Sequence, residues 1–191
     1  MYIQFHAKVV VNIIYKKSVH SIYFSLESLK IMVNLTTVTL SKPMLELLTG
    51  NEFIDTVLNL TLDKTFRFAN YAAMFLCNIT KDNHESEAVF KVMNKNNNFN
   101  IHSFLDAFCD VKYNEHCELH HIGSLLANLT LLKDARLLLL DREKDCIQRL
   151  LPFTQYADSN VRRYSVAAII KNCLFETGET SFLTQNTFII F

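Results

Sequence analysis

The sequence predicts an all-α fold, an armadillo- or HEAT-like right-handed superhelix of about four three-helix repeats. Three observations carry this expectation. One pattern recurs four times, as Lys30-Ile-Met-Val-Asn34-Leu-Thr36, Met74-Phe-Leu-Cys-Asn78-Ile-Thr80, Ser124-Leu-Leu-Ala-Asn128-Leu-Thr130 and Ala168-Ile-Ile-Lys-Asn172-Cys-Leu174. Its asparagines lie 44, 50 and 44 residues apart, a period typical of helical solenoids. The 191 residues hold only three glycines and two prolines, scant punctuation for a β-sandwich, a barrel or a Rossmann fold. Finally, the apolar residues around each asparagine keep helical spacing. With the asparagine as position zero, −6 is Ser28, Ala72, Ile122 and Val166, and −3 is Ile31, Phe75, Leu125 and Ile169. Position −2 is Met32, Leu76, Leu126 and Ile170, and +1 is Leu35, Ile79, Leu129 and Cys173. Spacings of three, one and three make one stripe of an α-helix. The asparagine falls about 110° from the centre of that stripe, at the border of the buried face. Position −5 is small in three copies (Ala73, Gly123 and Ala167), which suits close approach of a neighbouring helix.

The remaining segments supply the other helices of each unit. Residues 1–25 stay unassigned: Met1 to Tyr15 is apolar and β-branched, but Lys8 interrupts it and no signal-peptide layout follows. Pro43 suits the first turn of a helix continuing to Leu48. Gly50-Asn51 breaks the chain, and Glu52 to Leu62 forms the next helix on a stripe of Phe53, Ile54, Val57 and Leu58. Glu85 to Met93 follows. The polar run from Asn94 to Asn100 reads as a loop that lengthens the second interval. Ile101 to Cys109, Asp134 to Leu140 and Lys144 to Leu151 are further helices, the last ended by Pro152. Asp158-Ser159 caps a helix from Asn160 to Phe175. The repeat domain therefore spans 26–176. The tail, 177–191, lacks amphipathic continuation and a polar closing helix, which leads us to expect a truncated repeat array.

Composition excludes several functions. Lysine plus arginine equal aspartate plus glutamate at 19 each, so no strong field recruits nucleic acid or an anionic membrane. No GxGxxG, GxxxxGK[ST] or GxSxG motif is present, and no carboxylate pair or triad suggests an enzyme. No stretch approaches the length of a membrane span. The five cysteines (Cys77, Cys109, Cys117, Cys146 and Cys173) are odd in number and irregular in spacing, which reads as reduced thiols in a cytoplasmic protein.

The binding candidates are polar residues on the pattern helices. Asn34, Asn78, Asn128 and Asn172 form a ladder whose amides, each with two donors and an acceptor, could pair with the backbone of an extended client peptide. The bland alternative is that each is satisfied within its own repeat. Arg162 and Arg163 could clamp a client carboxylate, or merely pair with Asp158 or Glu176 in a solvated first turn. Asn34, Asn59, Asn78 and Asn128 each open an N-x-T sequon, but three fall on the helical pattern and are not expected to carry glycans. His116, Cys117, His120 and His121, with Cys109 nearby, hold ligand atoms without the two tight pairs of a structural zinc site. No metal or other cofactor is expected.

One stretch resembles a known family. The string QRLLPFTQY (148–156), followed by Val161-Arg-Arg163 and Lys171-Asn-Cys-Leu-Phe-Glu176, is similar to the eukaryotic HGH family of armadillo-type proteins. Leu119-His120 leading to Leu126-Ala-Asn-Leu-Thr130 extends the similarity, which reaches back weakly toward Leu26. The family has two glycines after the paired arginines, where this chain has Tyr164 and Ser165, and it continues through further repeats. The resemblance implies a cytosolic folding adaptor that binds translation elongation factor 2 and hands it to the cytosolic chaperonin. Other readings of the same periodicity are an armadillo-type adaptor in transport or signalling, and a nonfunctional truncated product.

Overall fold

The computed structural model describes residues 22–37, 51–95 and 99–176. The expected helix from Pro43 and the 177–191 tail lie outside the described residues, as does most of the unassigned 1–25 segment. All regular structure among the described residues is helical: nine α-helices and a 3-10 turn. They are α1 (Ile22–Leu35), α2 (Asn51–Leu62), α3 (Ala69–Ile79), α4 (Asn83–Lys95), α5 (Ile101–Cys109), α6 (His121–Leu129), α7 (Lys133–Leu139), α8 (Cys146–Leu150) and α9 (Asn160–Cys173). The 3-10 turn, Leu151–Gln155, follows α8 directly. It forms because Pro152 cannot donate to a continuing α-helix.

Helix boundaries follow local chemistry. Asn100 caps α5: its side chain accepts from Ser103 N at 3.0 Å, while Ser103 Oγ accepts from Asn100 N. At α9 the cap is Ser159, whose hydroxyl accepts from Arg162 N at 3.3 Å. Several boundaries shift from expectation by a residue or two, and two differences bear on the expected layout. Helix α1 begins at Ile22, inside the segment left unassigned. Helix α4 runs through Lys95, so the polar run does not break it at Asn94; Asn and Lys are tolerated at an exposed helix end.

The four pattern helices, α1, α3, α6 and α9, pack in chain order, each against the next. The other helices lie behind them: α2 packs on α3 and α4, α5 on α6 and α7, and the 3-10 turn on α9. The stripe faces this second layer. Phe75, Leu76, Ile79, Leu125, Leu126, Leu129, Val166, Ile169 and Cys173 are all buried, and α5 adds Phe104, Leu105 and Phe108. Burying one such side chain stabilises the fold by about 1.5–3 kcal/mol.

The small residue at −5 does its expected work at Gly123. A Cβ there would sit 2.7 Å from Phe108 Cε2 and 2.9 Å from Ser165 Cβ, so the missing side chain lets α9 and α5 close on α6. Ala167, the matching residue of α9, is exposed instead.

Candidate functional site

The amides of Asn78, Asn128 and Asn172 turn toward the preceding pattern helix. Asn78 Nδ2 donates to Val33 O and Thr36 Oγ1, both at 3.2 Å. Asn128 Nδ2 donates to Cys77 O at 2.9 Å and Thr80 Oγ1 at 3.1 Å. Asn172 Nδ2 donates to Ala127 O at 3.2 Å and Thr130 Oγ1 at 3.0 Å. Asn78, Asn128 and Asn172 thus each read position −1 and position +2 of the helix before them. These amide nitrogens bridge between pattern helices, a contact that the sequence did not reveal.

The backbone explains the geometry. At the ends of α1 and α6 the N–H at +3 turns back to the carbonyl at zero: Thr37 N to Asn34 O and Leu131 N to Asn128 O. The carbonyl at −1 loses its usual i+4 donor. The threonine at +2 partly compensates, with Thr130 Oγ1 donating to Ala127 O at 2.7 Å and Thr36 Oγ1 to Val33 O at 2.9 Å. The next asparagine then completes the clasp. Of the threonines that resembled glycosylation sequons, Thr36, Thr80 and Thr130 are buried acceptors in the clasp, while buried Thr61 donates to Val57 O. Asn34 itself is exposed.

The open surface lies beside the asparagines. At about 100° per residue, positions −4 and +3 point away from the stripe. Row −4 is Lys30, Met74, Ser124 and Ala168, all half-buried. Row +3 is Thr37, Lys81, Leu131 and Phe175, all exposed. Sequence reasoning singled out position zero and missed these rows, although the angle that put the asparagine at a border also locates them.

Arg162 requires a correction. It is fully buried, at 0% exposure, and cannot clamp a client carboxylate. Its guanidinium donates to Phe108 O, to Glu118 O and to His120 Nδ1, the last at 3.0 Å. It also lies 4.5 Å from the Phe108 ring centroid and 5.3 Å from that of Phe153. Leu119 makes this possible by adopting a left-handed backbone, φ 48°, so that the residues on either side of it both bond the same cation. Burial lowers the pKa of the arginine from its ordinary value. Arg163 stays half-exposed. Its guanidinium donates to Tyr156 O at 2.9 Å, Ala157 O and Asn160 Oδ1, which ties the start of α9 to the turn before it. Neither arginine pairs with Glu176. That carboxylate meets Arg136, whose guanidinium also bonds Thr130 O and Leu131 O at the end of α6.

The histidines and cysteines are dispersed. His120 accepts from Arg162 at Nδ1, so its proton sits on Nε2, 2.8 Å from Glu118 Oε2. His121 Nδ1 lies 3.3 Å from Asn70 Oδ1. Among the described residues no three His, Cys, Asp or Glu side chains converge on a metal position. All five cysteines are free thiols. Burial raises the pKa of each, to about 11 for Cys109 and Cys146 and about 12 for Cys173, so they are protonated and weakly nucleophilic at neutral pH. A separate cleft of about 1200 Å³ lies between α2 and α5, where Asn59, Asp106, Tyr113 and Arg149 line it; Asp106 and Arg149 pair with each other at 2.7 Å. No helix among the described residues is long and apolar enough to cross a membrane.

Comparison with known proteins follows the same residues. A family model described as a domain of unknown function, DUF383, matches residues 60–189. Three curated relatives are each named Protein HGH1 homolog. The zebrafish (Danio rerio) protein is 33% identical over 138 residues, covering 72% of this chain and 36% of the relative. The mouse (Mus musculus) protein is 34% identical over 122 residues, covering 63% and 31%. The human (Homo sapiens) protein is 35% identical over 117 residues, covering 60% and 30%. The chain thus spans about a third of the length of the curated relatives it matches. With the DUF383 match over most of its length and these relatives beside it, the chain belongs to the HGH family.

Proposed function

We propose that this chain is an armadillo-type protein-binding scaffold that acts as a chaperone adaptor. One observation carries the reading: α1, α3, α6 and α9 stack in one register, locked by the asparagine clasp, so the −4 and +3 residues align in rows on the side away from the core. On this reading α4–α5–α6 and α7–α8–α9 are successive three-helix repeats of a right-handed superhelix, and the rows line its groove. Leu131, 48% exposed, and Phe175, 72% exposed, offer apolar contact, while Lys81 offers charge. Such a surface suits an incompletely folded segment better than a small molecule. On the half-buried Asn78 and Asn128 the amide nitrogen is engaged, and the carbonyl oxygen is left to accept from a client backbone at the groove edge.

The family resemblance supplies the client, translation elongation factor 2, and the recipient, the cytosolic chaperonin, in the cytoplasm. No catalysis, nucleotide or metal forms part of the proposal. The test is a pull-down with the full chain from cytosolic extract, read by mass spectrometry, followed by direct binding to elongation factor 2. We expect recovery of elongation factor 2 with chaperonin subunits, and at least a tenfold weakening in the Lys81→Glu/Leu131→Glu variant, about 1.4 kcal/mol. A folded chain that recovers neither protein, or whose binding ignores the double substitution, overturns it.

A further inference from the structure

The spine helices have two non-equivalent sides. On the leading side, positions −7, −3 and 0 meet the helix before. On the trailing side, positions −8, −5, −4, −1 and +2 meet the helix after. At the α3/α6 junction His121 (−7) meets Asn70 (−8), and Asn128 (0) meets Cys77 O (−1) and Thr80 (+2). At the α6/α9 junction Asn172 repeats the pattern on Ala127 O and Thr130.

Among the described residues, two such faces stand open. On α1 the leading residues Glu27, Ile31 and Asn34 are exposed, with Ile31 at 44%, although Phe75, Leu125 and Ile169 are buried at the same −3 position. On α9 the trailing residues Tyr164, Ala167, Lys171 and Leu174 are exposed, Tyr164 at 70% and Leu174 at 45%. The backbone there repeats the ends of α1 and α6: Phe175 N turns back to Asn172 O and passes over the carbonyl of Lys171. Because +2 is Leu174, no threonine hydroxyl compensates, and that carbonyl has no donor among the described residues.

The two faces complement each other in register. Asn34 supplies the amide donor that every later junction uses, and Lys171 O is the acceptor such a donor would meet. Position −7 adds no fixed partner: at the α6/α9 junction Ser165 meets Ser124 at −4, and Glu27 pairs with Lys30 on its own helix at 2.9 Å. Ile31 would cover Ala167 and Ala168 where the earlier junctions bury Phe75, Leu125 and Ile169. We propose that a second copy of this chain docks head to tail, the leading face of α1 on the trailing face of α9, with the Asn34 amide donating to the Lys171 carbonyl. The contact is heterologous, so it propagates instead of closing into a fixed dimer. A single helix face is smaller than a standard interface of about 1,600 Å², so the association is weak and reversible.

Sedimentation velocity on the full chain over a wide concentration range tests this. The weight-average mass should rise with concentration without reaching a plateau at a dimer. Ile31→Glu and Tyr164→Glu should each give a monomer with an unchanged helical circular-dichroism signal. An equimolar mixture of the two should form a dimer that grows no further, because each partner retains one intact face. Asn34→Ala, at an exposed position, serves as a second α1 variant and should weaken association about tenfold, the loss of one hydrogen bond. A wild-type chain that stays monomeric throughout overturns the proposal and leaves these faces to other helical partners. So does association that survives both charge substitutions, or a mixture that stays monomeric.

Discussion

The α3/α6 and α6/α9 junctions share one device at their C-terminal ends and differ at the other. Both use the asparagine clasp. Toward the N-terminal ends, the first junction is braced by a neutral hub and the second by a cationic one. In the neutral hub, buried Asn114 donates to Asp63 O at 2.9 Å and Phe66 O at 3.0 Å, and accepts from His116 N at 2.8 Å and Cys117 N at 3.0 Å. Tyr113 adds a bond to Leu62 O at 2.9 Å. In the cationic hub, Arg162 ties α9 to the end of α5 and to the turn before α6. An amide side chain can donate and accept, so Asn114 shapes its own turn and bonds the turn between α2 and α3 at once. A guanidinium only donates, so it gathers acceptors from separate elements. The first hub joins two connections, while the second holds three elements together.

Removing each hub should separate these roles. Arg162→Met keeps much of the volume but strands the carbonyls of Phe108 and Glu118 in a dry site. We expect a loss of about 3–4 kcal/mol in urea unfolding, near the upper range for breaking a buried charged network. Asn114→Ala also leaves buried groups unsatisfied, but its loop lies nearer solvent, and about 2 kcal/mol is expected. If Arg162→Met costs less than Asn114→Ala, the cationic hub is not the stronger brace.

The clasp offers a finer comparison. Asn128→Ala removes a donor shared by a carbonyl and a hydroxyl and should cost about 1–1.5 kcal/mol. Asn34→Ala, the same residue in the same sequence pattern but exposed, should stay within about 0.5 kcal/mol of wild type in dilute solution. Equal losses at both positions would show that the pattern, and not the junction, sets the contribution.

This contrast marks how far the sequence could be read. Helical periodicity located α2, α5, α6 and α9 within a residue or two, because an apolar stripe records which face is buried. It also singled out the asparagines, since a polar residue recurring at one helical position needs a reason. It did not identify their partners, which lie on the helix 42 to 51 residues earlier. Thr36, Thr80 and Thr130 carried the missing clue, but their place at +2 looked like a sequon. Arg162 and Arg163 are adjacent in the chain, and nothing local distinguishes them. Their fates diverge because Leu119 turns left-handed opposite one of them, and a single non-glycine residue in that conformation has no pattern to betray it. The cysteines were legible as thiols but not as clasp neighbours: Cys77 contributes its backbone carbonyl, which any residue could supply.

The smallest expected effect concerns protons, and it tests whether His120 belongs to the cationic hub. Burial first, then the nearby Arg162, hold its pKa below the ordinary 6.5, against a weaker pull upward from Glu118. Burial likewise lowers His121 and His102. The sign follows from linkage. Above the unfolded-state value, near 6.5, both folded and unfolded chains carry neutral imidazoles, and the contribution to stability is complete. As the pH falls below that value the unfolded chain takes up protons that the folded chain refuses, so stability is lost until the depressed folded pKa is reached. Protonating His120 would also place a hydrogen on Nδ1, against the Arg162 Nε–H that it accepts. Stability should therefore fall between pH 7 and pH 5. His120→Gln keeps an acceptor for Arg162 but does not titrate, so its loss over that interval should be smaller than wild type. Urea unfolding of both proteins at both pH values decides the matter: parallel slopes for wild type and His120→Gln would mean that the imidazole is a bystander and that Arg162 holds the junction through the two carbonyls alone.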